Sequence, residues 1–154
     1  MKKRKNKRNW RTYLSNEIGI EYKACLYFWV ILFFYAVYLL YHKVYSASLL
    51  YLGEMILTTY LNSYLQVYIF QNFDEADKLG KKEWISICIY SMIYGVISYL
   101  LSWFDQNPVV TIIFVCYFVF VYVCVYLINK IKRDIDTEQL NDMLNEYKKG
   151  EHEQ

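Results

Sequence analysis

Apolar residues run in four long tracts along this chain, and the charged ones collect between them. The first tract extends from Ala24 to Tyr41 and stops at His42 and Lys43. The second covers Leu49 to Phe70 and holds a single acid, Glu54. The third spans Trp84 to Phe104. The fourth opens after Pro108, a residue suited to the first turn of a helix, and continues to Ile128. A helix needs roughly 20 predominantly apolar residues to cross a bilayer, so each tract is read as a transmembrane span. The expected fold is all-α, a polytopic membrane protein built as a four-transmembrane-helix bundle. Its spans are expected at about 24–41, 49–70, 84–104 and 108–128, with a loop at 71–83. Segments 1–23 and 129–154 are expected to lie outside the bilayer as short amphipathic helices.

Within the second tract the polar residues Glu54, Thr58, Asn62 and Gln66 recur every fourth position and so share one slowly drifting helical face. Polar groups at membrane depth are costly unless paired, which turns that face inward. It reads either as a solvated or proton-linked pathway centred on Glu54, or as a hydrogen-bonded seam with Glu54 near enough to the interface to meet water or Lys43. In the third tract, Ser91, Gly95, Ser98 and Ser102 form a face of small residues, a surface for close helix packing within the bundle or between copies. The fourth, rich in Val, Ile and Phe, is expected to face lipid around much of its circumference.

Charge fixes the expected orientation. Sixteen of the seventeen basic residues lie before the first tract, in the loop after the second, or beyond the fourth, and Lys43 alone lies on the other side. Basic residues favour the cytoplasmic side, so both termini and the 71–83 loop are expected there. The basic start, Met1 to Arg8, precedes an apolar core too bulky for a cleaved leader, with Phe28, Trp29, Phe33 and Phe34, and no small-residue cleavage site follows. Trp10, Tyr13, Leu14 and Ile18 then suit a helix lying in the interface. A nucleic-acid arm is the poorer reading of the basic run, and no direct nucleic-acid contact is expected. Tyr27, Trp29, Tyr41, Tyr45, Tyr68, Trp84 and Trp103 suit interfacial belts, while Tyr94 and Tyr122 fall deep enough to need partners in the bundle.

The cytoplasmic parts carry the candidate partner-binding residues. Asp74, Glu75 and Asp77 make an acidic patch in the loop. In the tail, Asp136 with Gln139 suggests a capping box, Gly150 a stop, and Leu140, Met143, Leu144 and Tyr147 an apolar stripe on a helix with seven acids against two lysines from Asp134 onward. That stripe needs something to pack on: the loop, a second copy or another protein.

No catalytic motif is visible. His42 and His152 have no carboxylate or cysteine pattern for a metal, there is no glycine-rich phosphate loop, and the four cysteines match no ligand spacing. No enzyme activity and no cofactor are expected. Asp74-Glu75-Ala76-Asp77 has the letters of a helicase box, without the phosphate loop such a box requires.

Several short stretches together resemble a known group. They are the acidic loop running into Lys82-Glu83-Trp84, the third tract ending Leu101-Ser102-Trp103-Phe104, the near-minimal turn after it, and a fourth tract flowing into Leu127-Ile128-Asn129-Lys130. From Trp10 to Tyr147 the chain resembles a small four-span membrane protein family of low-GC Gram-positive bacteria, a domain of unknown function often encoded beside LytTR-type transcription regulators. Members often carry a histidine early in the third span, where this chain has Tyr90, so no histidine-dependent role carries over. The resemblance implies a regulatory membrane protein that restrains a cytoplasmic LytTR-type regulator, whose basic DNA-binding domain suits an acidic loop and tail. A small transporter or channel component and a bacteriocin-immunity protein are the alternatives. The implied surroundings are the bacterial plasma membrane, its lipid bilayer, and a homo-oligomer as a further partner state.

Overall fold

The computed structural model describes the backbone of residues 2–69, 74, 76 and 78–152, and side chains for 10, 13–69, 74, 76 and 78–148. Among them all regular structure is helical: α1 Lys2–Tyr41, α2 Leu49–Tyr68, α3 Lys81–Leu100 and α4 Pro108–His152. Helix α1 pairs with α2, and α3 with α4, giving two antiparallel hairpins. The start of α1, the far part of α4 and the described residues Asp74 and Ala76 therefore share one end of the bundle, and the α1–α2 and α3–α4 turns share the other.

The core between the hairpins is aromatic. Tyr27, Ile31 and Tyr35 of α1 meet Tyr90 and Tyr94 of α3 and the i, i+4 stripe Phe114, Phe118, Tyr122 of α4. Phe34 lies against Phe104, Phe114 and Tyr117, with ring centroids 5.0–5.3 Å apart. The outside is equally apolar: Trp29, Phe33, Ile85, Ile89, Val96, Ile112, Ile113 and Phe120 are all exposed. Apolar surface this continuous far exceeds what a soluble monomer shows. Three helices are long and apolar enough to cross a membrane, over Tyr13–Tyr41, Lys81–Leu100 and Pro108–Lys148. The 20-residue α2 does not reach that hydropathy because of its polar seam.

The helices are longer than the tracts at the chain ends. Instead of an interfacial segment followed by a span from Ala24, α1 is one 40-residue helix, with Trp10, Tyr13, Leu14 and Ile18 exposed on it. Its only glycine is Gly19 and it contains no proline, so nothing in its backbone chemistry forces a break. The same holds for α4, which has neither glycine nor proline between Val109 and Lys149. The expected cap at Asp136 is thus mid-helix, and Thr137 hydrogen-bonds back to the Arg133 carbonyl at 2.8 Å as an interior residue does. Gly150 also lies within α4.

Other termini follow recognisable chemistry. The Asn107 side-chain oxygen accepts the Val109 and Val110 amides, at 3.0 and 3.4 Å, ahead of Pro108 at the first helical position. The Glu83 carboxylate accepts the Gly80 amide at 2.9 Å. Helix α3 stops at Leu100, four residues before the expected end. Ser102 (φ 59°), Asp105 (52°) and Gln106 (53°) take left-handed backbone, at about 1–2 kcal/mol each for non-glycine residues. Burial of Trp103 and Phe104, 1% exposed, holds that turn in place.

Candidate functional site: a buried polar column

Helix α2 is built inside out. Thr58, Thr59, Asn62, Ser63 and Gln66 are buried, whereas Ile56, Leu57, Leu61 and Leu65 are exposed. The inward turn expected for Thr58, Asn62 and Gln66 is therefore observed, with Glu54 half-buried at the head of the seam. From Glu54 to Gln66 the seam runs roughly 18 Å along the helix axis. Asn62 sits beside the Tyr94 hydroxyl, and Gln66 beside that of Tyr27. The Tyr27 ring in turn lies 6.4 Å from Tyr94 and 5.0 Å from Tyr122.

Each end of the column carries a charged group. At the turn end, the Trp103 indole N–H donates to Glu54 Oε2 at 3.0 Å. Glu54 thus pairs with an aromatic donor from the α3–α4 turn and not with Lys43, which lies exposed. At the opposite end, Lys23 Nζ donates to both carboxylate oxygens of Asp74, at 2.6 and 2.8 Å. The two side chains are 6% and 1% exposed. Helix α4 grips the same segment: Asn129 donates to the Asp74 carbonyl at 3.1 Å, and Arg133 to that of Ala76 at 2.8 Å. A cavity of about 90 Å³ adjoins the pair, lined among others by Tyr22, Tyr27 and Asn129.

Between these ends, Tyr27 Oη, Asn62 Nδ2, Ser63 Oγ, Gln66 Nε2, Ser91 Oγ and Tyr94 Oη reach no protein group in full hydrogen-bonding geometry, although Gln66 approaches Tyr27 and Asn62 approaches Tyr94. Leaving a buried polar group dry costs about 1–3 kcal/mol. For Ser63 and Ser91, which have no polar neighbour of this kind among the described residues, that is a sizeable fraction of a domain's stability of about 5–15 kcal/mol.

The remaining candidates are distributed as follows. Asp74, expected on an acidic docking patch, is buried in its ion pair and cannot present its carboxylate to a partner. Glu75 and Asp77 lie outside the described residues, as does Phe70 at the expected end of the second span. Leu140, Met143, Leu144 and Tyr147 are all exposed on α4, between 49% and 68%, and no described residue covers them. Ser91, Gly95 and Ser98 share a buried face of α3. Ser102 does not, because the helix has already ended and its hydroxyl accepts from Gln106 at 3.0 Å. A Cβ placed on Gly95 would fall 2.3 Å from Val115 Cγ2, so this face serves the contact with α4. Cys25, Cys88 and Cys116 are exposed free thiols, not bundle interior.

Sequence reasoning missed Lys23, Tyr27 and Trp103, taking the first for a topology charge and the other two for belt aromatics. A usable signal existed for Lys23. It lies four residues before Tyr27, which Ile31 and Tyr35 follow at the same spacing, so it extends the buried stripe of α1. Compared with known protein families, curated proteins and solved structures, the chain matches none.

Proposed function

We propose that this chain is a non-catalytic regulatory protein of a bacterial cell membrane, crossing it four times with both termini in the cytoplasm, and that it binds and restrains a LytTR-type transcription regulator. The inverted pattern of α2 supports the fourth crossing. Leucines outside and amides inside are unfavourable in water and suited to lipid. The sixteen-to-one distribution of basic residues supports the orientation.

The observation that carries the functional reading is the far end of α4. It continues the bundle as unbroken helix, bears Asp134, Asp136, Glu138, Asp142 and Glu146, and leaves the Leu140–Tyr147 stripe uncovered. An acidic helix with one open apolar stripe suits a basic soluble domain, the class that the family resemblance supplies. Its acids set association rate and salt sensitivity, and its apolar side chains set residence.

Capture of a purified LytTR-type regulator by the full chain in detergent tests this. Burying a leucine is worth roughly 1.5–3 kcal/mol, so Leu140→Ala with Leu144→Ala weakens capture by one to several orders of magnitude. Capture unchanged in that variant, or in a chain truncated after Arg133, refutes the docking role.

A second reading, a small transporter or channel component, is favoured by the buried Lys23–Asp74 pair beside the polar column, since intramembrane charges mark ion pathways. Cation or proton flux into proteoliposomes, abolished by Asp74→Asn, distinguishes it from regulation.

A further inference from the structure

The polar column presents a problem of satisfaction that the protein does not solve by itself. The hydroxyls of Tyr27 and Tyr94, the amides of Asn62 and Gln66, and the hydroxyls of Ser63 and Ser91 come from three helices, are buried, and reach no protein partner in full hydrogen-bonding geometry, although Gln66 approaches Tyr27 and Asn62 approaches Tyr94. Buried polar groups in folded proteins are almost always paired, with ordered water where protein groups do not serve.

The chemistry of the site selects its occupant. Two primary amides and four hydroxyls offer both donors and acceptors and carry no net charge. Lys23 and Asp74, at one end of the column, are closed on one another at 2.6 and 2.8 Å. An ion would find no counter-charge here, and an apolar guest would leave the Ser63 and Ser91 hydroxyls unpaired. A small neutral molecule that both donates and accepts satisfies them. The adjoining cavity of about 90 Å³ reaches Tyr27 and is roomy enough for several waters. Asn62 and Tyr94 lie one helical turn, roughly 6 Å, further in than Gln66 and Tyr27.

We infer that a file of bound water begins in the cavity at Lys23 and Asp74 and runs inward past Tyr27 and Gln66 to Asn62 and Tyr94. The bundle thus carries a hydrated half-channel, open toward the end that bears the termini and plugged at the other by the Trp103–Glu54 contact. The inference is independent of the regulator reading.

Hydroxyl-radical footprinting by X-ray radiolysis of the intact chain in lipid nanodiscs tests it, because radicals form from bound water in place. Tyr27 and Tyr94 should be modified within tenfold of the rate of exposed Tyr22, and buried Phe114, remote from the column's amides, should be protected at least a hundredfold. Protection of Tyr27 and Tyr94 equal to that of Phe114 overturns the inference on the native protein alone. A second arm tests the direction of filling. In Tyr27→Phe with Gln66→Leu, modification of Tyr94 should fall to the Phe114 level. If Tyr94 is modified as before, water does not arrive by way of Tyr27, and the proposed path is wrong.

Discussion

Lys23 and Asp74, fifty-one residues apart in sequence, meet in the interior with both carboxylate oxygens engaged by one ammonium group. The pair pins the segment between α2 and α3 onto α1, while Asn129 and Arg133 hold the same segment's carbonyls from α4. Removing one member of a buried pair strands the other's charge, at about 3–5 kcal/mol, whereas replacing both with apolar groups is often close to neutral. Lys23→Met and Asp74→Leu should each lower the unfolding temperature in detergent, and the double variant should recover most of the loss. Additive losses would show that the two side chains do not interact.

Glu54 should matter as a hydrogen-bond acceptor and not as a charge. Glu54→Gln keeps a carbonyl for the buried Trp103 indole and should cost less than about 1 kcal/mol, while Glu54→Ala leaves that N–H without its acceptor and should cost about 1–3 kcal/mol. Denaturation followed by tryptophan fluorescence gives the order. Equal losses for both variants would make the charge itself the stabilising property.

Gly95 is required by its closeness to Val115. Gly95→Val forces the α3–α4 contact apart and should destabilise by about 1–3 kcal/mol. Adding Val115→Ala should recover part of this, because it removes the methyl that the new Cβ would meet. A double variant no more stable than Gly95→Val would place the conflict elsewhere.

The exposed stripe at the end of α4 should contribute nothing to the bundle. Truncation after Arg133 should change bundle stability by less than about 0.5 kcal/mol, as expected for surface far from any buried contact. A marked fall in unfolding temperature would make that segment a strut.

Topology can be read with reporter fusions at Tyr45, Ala76, Gln106 and Gln154, which should report outside, inside, outside and inside. An outside signal at Ala76 would remove α2 from the bilayer.

What the sequence made legible were features set by local pattern. The tract ends near Tyr41, Leu49 and Pro108, and the inward turn of Thr58, Asn62 and Gln66, follow from hydropathy and a four-residue spacing that any helix imposes. Tertiary pairing was not legible. Lys23 and Asp74 each resemble ordinary juxtamembrane charges until the chain brings them together. Trp103 reads as a belt residue until three left-handed residues around it fold it back over Glu54. The cap at Asp136 was a local signal outweighed by the absence of any helix breaker from Val109 to Lys149. Ser102 fell out of its face because α3 ended first.

The continuity of α4 gives the molecule a lever. Asn129 and Arg133 are held against the 2–3 segment at its fulcrum, and beyond them the helix has no joint in which motion could be absorbed. From Asn129 to Tyr147 is roughly 27 Å of helix, so a tilt of about 10° at the fulcrum carries the tip about 5 Å. Loosening the grip at Asp74 therefore moves the most distant residues the furthest. A small rearrangement in the bundle would thus be delivered, enlarged, to the exposed end of α4.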